Sequence, residues 1–124
     1  MRWPPEAGEL LPRFEEAVGI RKKLAAYSLD LTHESGGAKA LGFARVLGIT
    51  LSSLDYLEAA IRAGIRVTPI AVVRENEPHG VTCLVEFPLR GIGIHRYRVV
   101  PLRTVWEIRD QDSPPRLVTA FLKP

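Results

Sequence analysis

The chain has 124 residues, 46% of them apolar and 25% charged, with a formal net charge of +3. That length fits one domain with a real core. One cysteine excludes an internal disulfide framework and a cysteine-based zinc site. No apolar run approaches the ~18–20 residues of a membrane span, and the opening MRWPPEAGEL lacks a signal-peptide core. A cytoplasmic protein with no membrane association is expected.

Charge is unevenly spread. Residues 1–34 carry −1 and residues 35–87 are neutral, whereas residues 88–124 carry +4. Thirteen of the seventeen cations are arginine, the better residue for bidentate phosphate contact. The same bias also arises on any solvated surface, so charge alone is a weak pointer to nucleic acid.

In chain order, residues 1–19 read as an arm or short helix, and 20–124 as a single α+β domain. RFEEAVGIRKKLAAYSL (13–29) places Ala17, Ile20, Leu24 and Tyr27 near a helical period, with Gly19 as an internal break. Residues 36–47 repeat the pattern through Ala40, Phe43, Ala44 and Leu47, and Gly48 is a C-terminal stop. LSSLDYLEAAIRA (51–63) is a third helix, capped by Ser52 or Ser53 and ended by Gly64. Thereafter β-branched runs dominate. Five strands are expected in TPIAVVR (68–74), VTCLVEF (81–87), IHRYRVV (94–100), RTVWEIR (103–109) and RLVTAFL (116–122). About three helices on an antiparallel sheet of about four to five strands is an α+β layout.

Alternation in the last two strands predicts two faces. Trp106 and Ile108 with Val118 and Ala120 would pack on the helices, and Arg103, Glu107, Arg109 and Thr119 would gather on the other face. Glu107 opposite Thr119 is the expected register. Cys83, inside apolar VTCLVEF, reads as a buried small hydrophobe.

Two nucleotide-binding patterns fail. SGGAKA lacks the Lys-Ser/Thr of a phosphate loop, and GIGIHR lacks the third glycine of a dinucleotide fingerprint. His33 is neither on an apolar stripe nor a natural cap, since Thr32 and Ser35 cap better. Lys39 near a helix start opposes the helix dipole unless it meets an anion there, beside the amides after Gly36 and Gly37. Each also reads as an ordinary solvated side chain, just as Trp106 reads as core and Thr119 as a simple β-former.

The combination is more specific. Tyr27 and Leu29 are followed by His33, Gly36, Lys39-Ala40, Phe43 and Leu47-Gly48, and the chain closes with Thr104-Val105-Trp106 and RLVTAF (116–121). Over about residues 20–122 this resembles a small bacterial family of unknown function with a YLL-x-x-x-H-x-x-G-x-x-KA … TVW … RLVTAY signature. That family is in turn similar to the barnase/EndoU/colicin/RelE-like (BECR) ribonuclease toxins. The resemblance implies helices on a curved antiparallel sheet and a metal-independent ribonuclease of toxin type, with no cofactor. It implies RNA (tRNA or mRNA) and a small protein antitoxin as partners. Carried over residue by residue, it makes His33, Lys39, Arg103 and Thr119 the catalytic set, with Glu107, Trp106 and Arg109 as supporting residues. Glu34 and Glu107 depart from the family pattern. They favour the alternative, a catalytically inactive module on the same scaffold that binds an antitoxin or another protein.

Overall fold

The computed structural model describes residues 3–34 and 37–123. Ser35, expected as a cap, and Gly36 of the signature lie outside the described residues. Three helices come first and an open four-stranded antiparallel sheet follows, so the expected α+β class is the observed one.

Helix α1 runs over Ile20–Lys23 and widens into a π-helical turn, Leu24–Ser28. Gly19 starts it at φ 78°, a left-handed geometry that glycine adopts at no steric cost. Helix α2 spans Gly37–Gly42 and widens in the same way over Phe43–Leu47, ending at Gly48 with φ 69°. Helix α3 spans Leu54–Val67. Its entry turn is capped by Thr50 and Ser53 in a reciprocal box, rather than by Ser52 or Ser53 alone. Gly64 does not end α3, as the sequence suggested. It lies inside the helix, where a Cβ would fall 2.4 Å from the Phe87 ring.

The strands are β1 (Val72–Glu75), β2 (Val81–Arg90), β3 (Val99–Ile108) and β4 (Arg116–Leu122), paired in chain order. Five expected strands become four because IHRYRVV and RTVWEIR supply a turn and one long strand. Pro88 sits opposite Pro101 without ending either strand. The Ala71 amide bonds the Leu84 carbonyl, so even-numbered β2 residues face the β1 side. β1 stops at the Val72–Leu84 pair, so the missing Pro88 N–H has no ladder partner to deny.

One face of the sheet is the core. Val81, Cys83, Val85 and Leu89 of β2 meet Leu102, Trp106 and Ile108 of β3 there. They pack against Leu24, Phe43, Leu47, Leu57, Ile61 and Ile65 from the three helices. Thr104, the buried polar residue of β3, donates to the Val85 carbonyl at 2.7 Å and accepts from Trp106 Nε1 at 2.8 Å. Both groups are thereby satisfied inside the core.

The register of β4 differs from the expected one. Val105 pairs with Thr119 and Trp106 with Leu117, leaving Val118 as the extra residue of a β-bulge. The bulge sends both Leu117 and Ala120 into the core and turns Val118 out, at 42% exposure. Glu107 faces Arg116, not Thr119. Strict alternation could not give this, because a bulge resets parity midway along a strand.

Candidate functional site

The sheet face opposite the core carries Glu86, Arg103, Val105, Thr119 and Phe121, fixed by the pairs Glu86–Arg103, Arg103–Phe121 and Val105–Thr119. Helices α1 and α2 pack beside the edge strand β4. That placement lets a helix side chain reach this face. Lys39 does so: its Nζ donates to Thr119 Oγ1 at 3.0 Å, a half-buried contact across 80 residues of sequence.

Cations and aromatic rings alternate through the cluster. Lys39 Nζ lies 5.0 Å from the Phe121 ring centroid and 5.4 Å from that of Tyr27. Beyond Phe121 the Arg103 guanidinium is at 6.0 Å, and beyond Tyr27 the Lys23 ammonium is at 5.8 Å. The order is Lys23, Tyr27, Lys39, Phe121, Arg103. Each ring face attracts the cations beside it through its quadrupole.

His33 is half-buried with its ring centroid 4.4 Å from that of Tyr27, tilted by 55°. The segment before it is ordered by Asp30, whose carboxylate accepts from the Thr32 hydroxyl at 2.6 Å and amide at 2.9 Å. Those two bonds hold the Asp30 carboxyl below the usual carboxylate range. The His33 amide bonds the Asp30 carbonyl, and the His33 carbonyl accepts from Gly37 at the start of α2. His33 is thus tied on both sides to the corner that presents Lys39.

Arg103 is paired: its Nε donates to Glu86 Oε2 at 3.1 Å, and Lys123 approaches the other Glu86 oxygen at 3.7 Å. Glu107 shares this sheet face but sits two residues beyond Val105, opposite Arg116, and Arg109 follows the end of β3. They line an open cleft of about 590 Å³ at the β1–β2 turn, with Glu75, Glu77 and His79. Trp106 is fully buried on the core face, which removes it as a supporting site residue and makes it structural.

The structure therefore brings His33, Lys39, Arg103 and Thr119 to one region, sets Glu107 further along the same face with Arg109 beyond it, and buries Trp106 in the core. Tyr27, Phe121 and Glu86 belong to the region as well. Tyr27 read as a stripe residue of α1, because a tyrosine at helical spacing looks like core. Phe121 shares the parity of Thr119, and Glu86 is the odd carboxylate of VTCLVEF; both signals are present in the sequence. Among the described residues, no group of three His, Cys, Asp or Glu side chains is placed to hold a metal ion. No single helix among them is long and apolar enough to cross a membrane.

The molecule is thus an α+β domain whose second helix brings a lysine to the outer sheet face, with a histidine in the corner before it. A family model, Domain of unknown function (DUF6883), matches residues 10–124, and the chain belongs to that family. No curated protein and no solved structure matches it.

Proposed function

We propose that the cluster is the active site of a metal-independent endoribonuclease of toxin type, acting in the cytoplasm and held in check by a small antitoxin protein. The observation that carries the reading is the alternating row of three cations and two rings, with the Thr119 hydroxyl on Lys39. Cations in such a row suit the phosphates of RNA, and the half-buried rings between them can stack on its bases. The motifs around His33, Lys39 and RLVTAF resemble a family of unknown function that is in turn similar to the barnase/EndoU/colicin/RelE-like toxins, which supports the same reading.

Cleavage of RNA without metal needs a base for the 2′-hydroxyl proton, positive charge for the pentavalent phosphorus, and an acid for the leaving 5′-oxygen. Lys39 has three N–H donors and gives one to Thr119, so others are free to turn to a phosphate oxygen. The Nη atoms of Arg103, near the same Phe121 ring, are left to take a phosphate oxygen, its Nε being engaged by Glu86. Histidine serves as acid or base because an imidazole ordinarily titrates near neutrality. His33 takes that role here. Glu86 replaces Glu107 as the carboxylate within reach of the clamp.

The ion pair of Arg103 with Glu86 and Lys123 favours a second reading, a protein-binding module on the same scaffold. A guanidinium already neutralised by a carboxylate gives less to a phosphate. One assay separates the two. Purified chain is incubated with total RNA in EDTA, beside His33→Ala, Lys39→Ala and Thr119→Val. The nuclease reading expects 2′,3′-cyclic phosphate and 5′-hydroxyl ends. Rates should fall about 100-fold or more for His33→Ala and Lys39→Ala, and about tenfold for Thr119→Val. Intact RNA with folded, inhibitor-free protein would select the binding module instead.

A further inference from the structure

Beside the Tyr27 ring lies an open cleft of about 400 Å³ between α1 and β4. Among the described residues its charged lining is Lys22, Lys23 and Arg116, with no carboxylate side chain. None of these three cations makes an ion pair among the described residues, although Arg13, Arg21, Arg62, Arg103 and Lys123 all do. The floor is apolar where the bulge turns Val118 outward. Tyr27 and His33 line the cleft too, so it opens directly onto the cluster described above.

Resting on the nuclease reading, we propose that this cleft binds the phosphates of the nucleotides next to the cleaved bond, and that the substrate is a single RNA strand several nucleotides long. Lys23 and Lys39 flank one ring at 5.8 and 5.4 Å, close enough for neighbouring phosphates of one strand to bridge them. From Lys39 the strand passes over Tyr27 into the cleft and meets Lys22 and Arg116. It does not run the other way. The cleft at the β1–β2 turn sets Glu75, Glu77 and Glu107 against Arg74 and Arg109, so it lacks the one-sided positive lining of the first. A single strand suits such a site, because its unpaired bases are free to stack on aromatic rings while its phosphates follow a basic groove.

The test measures binding apart from cleavage. A fluorescent, fully 2′-O-methylated octanucleotide cannot be cut, and its anisotropy is followed with the full chain between 50 and 200 mM salt. Each phosphate contact on a single strand contributes about −0.7 to the log–log salt slope. The triple variant K22Q/K23Q/R116Q should flatten the slope by about 2, so the wild type loses about 20-fold more affinity over that range than the variant does. Should the triple variant fail to fold, Lys22→Glu alone should still weaken binding several-fold, whereas the Glu75→Gln/Glu77→Gln variant should not weaken it. Equal slope and affinity in wild type and triple variant would overturn the cleft proposal, even if the wild type cuts RNA. A flattened slope from a chain that cuts nothing keeps the cleft as an RNA site and removes the nuclease reading. Binding of polyglutamate in preference to the octanucleotide would mark a protein-docking face and overturn the proposal.

Discussion

Single residues in this protein divide by what each buried polar atom has been given. Thr104 has two partners inside the core and holds Trp106 by its indole, so its hydroxyl is structural. Lys39 has a hydroxyl and two ring faces, partners that leave its charge uncancelled. A half-buried ammonium with no carboxylate partner among the described residues is a cost to the fold, and it is the arrangement an anionic ligand would relieve. Cys83 is the opposite case. Burial among apolar neighbours pushes its thiol up to about 11, from an ordinary 9.0. The folded chain therefore keeps the thiol proton at a pH where the unfolded chain releases it. Stability is full below about pH 9 and is lost as pH rises towards 11, by at most roughly 2–3 kcal/mol. Urea midpoints at pH 8 and pH 10.5 should separate more for the wild type than for Cys83→Ala. An equal separation in both would mean that Cys83 does not titrate with unfolding.

At the scale of elements, the informative positions are those where local rules and packing disagree. Gly64 reads as a helix stop by propensity, yet α3 continues through it to Val67. The glycine is there because Phe87 of β2 occupies the space of a side chain. Alanine favours an exposed helix interior by up to about 1 kcal/mol over glycine, but here it would collide with a ring. Gly64→Ala should destabilise by roughly 1–3 kcal/mol in urea unfolding, and a second change, Phe87→Leu, should recover part of the loss. A stabilised Gly64→Ala would mean that the helix and sheet are not in that contact. The same conflict sets how much could be read in advance. The helices at α1, α2 and α3, the break at Gly19, the stop at Gly48 and the α+β class all follow from period and glycine placement. The bulge at Val118 does not, since LVTAF alternates normally and only the packing of Leu117 with Ala120 demands an extra residue. For the site, alternation placed Arg103 and Thr119 on one face, and that survives. It also placed Glu107 on that face, and Glu107 is there, but the bulge sets it opposite Arg116 rather than Thr119. Tyr27 was hidden by its own spacing, which looks like core until a histidine and two lysines are seen around it.

Across the whole molecule, the segment before α1 acts as a strap on the domain. Gly8 and Glu9 exchange backbone hydrogen bonds with Ile70, just past the exit of α3, both at 2.8 Å. Arg13 binds Glu16 and the Asp112 carbonyl in the β3–β4 turn. Val18 then pairs with β4, its amide bonding the Pro115 carbonyl and its carbonyl accepting from Leu117. The strap thus fixes the start of the strand that carries Thr119 and Phe121. Leu11 anchors it, almost fully buried at 1% exposure and part of the same core cluster as Trp106 and Phe43. A free arm would tolerate truncation of that side chain. A buried anchor would not, because Leu→Ala removes transfer energy and leaves a cavity that the sheet and helices cannot fully close. Leu11→Ala should therefore cost about 2–5 kcal/mol in urea unfolding. Because the strap is bonded to β4, the same variant should lower any activity that depends on Thr119 at urea concentrations below the main transition. A loss under 0.5 kcal/mol would show instead that the segment before α1 is an appendage and that the domain begins at Gly19.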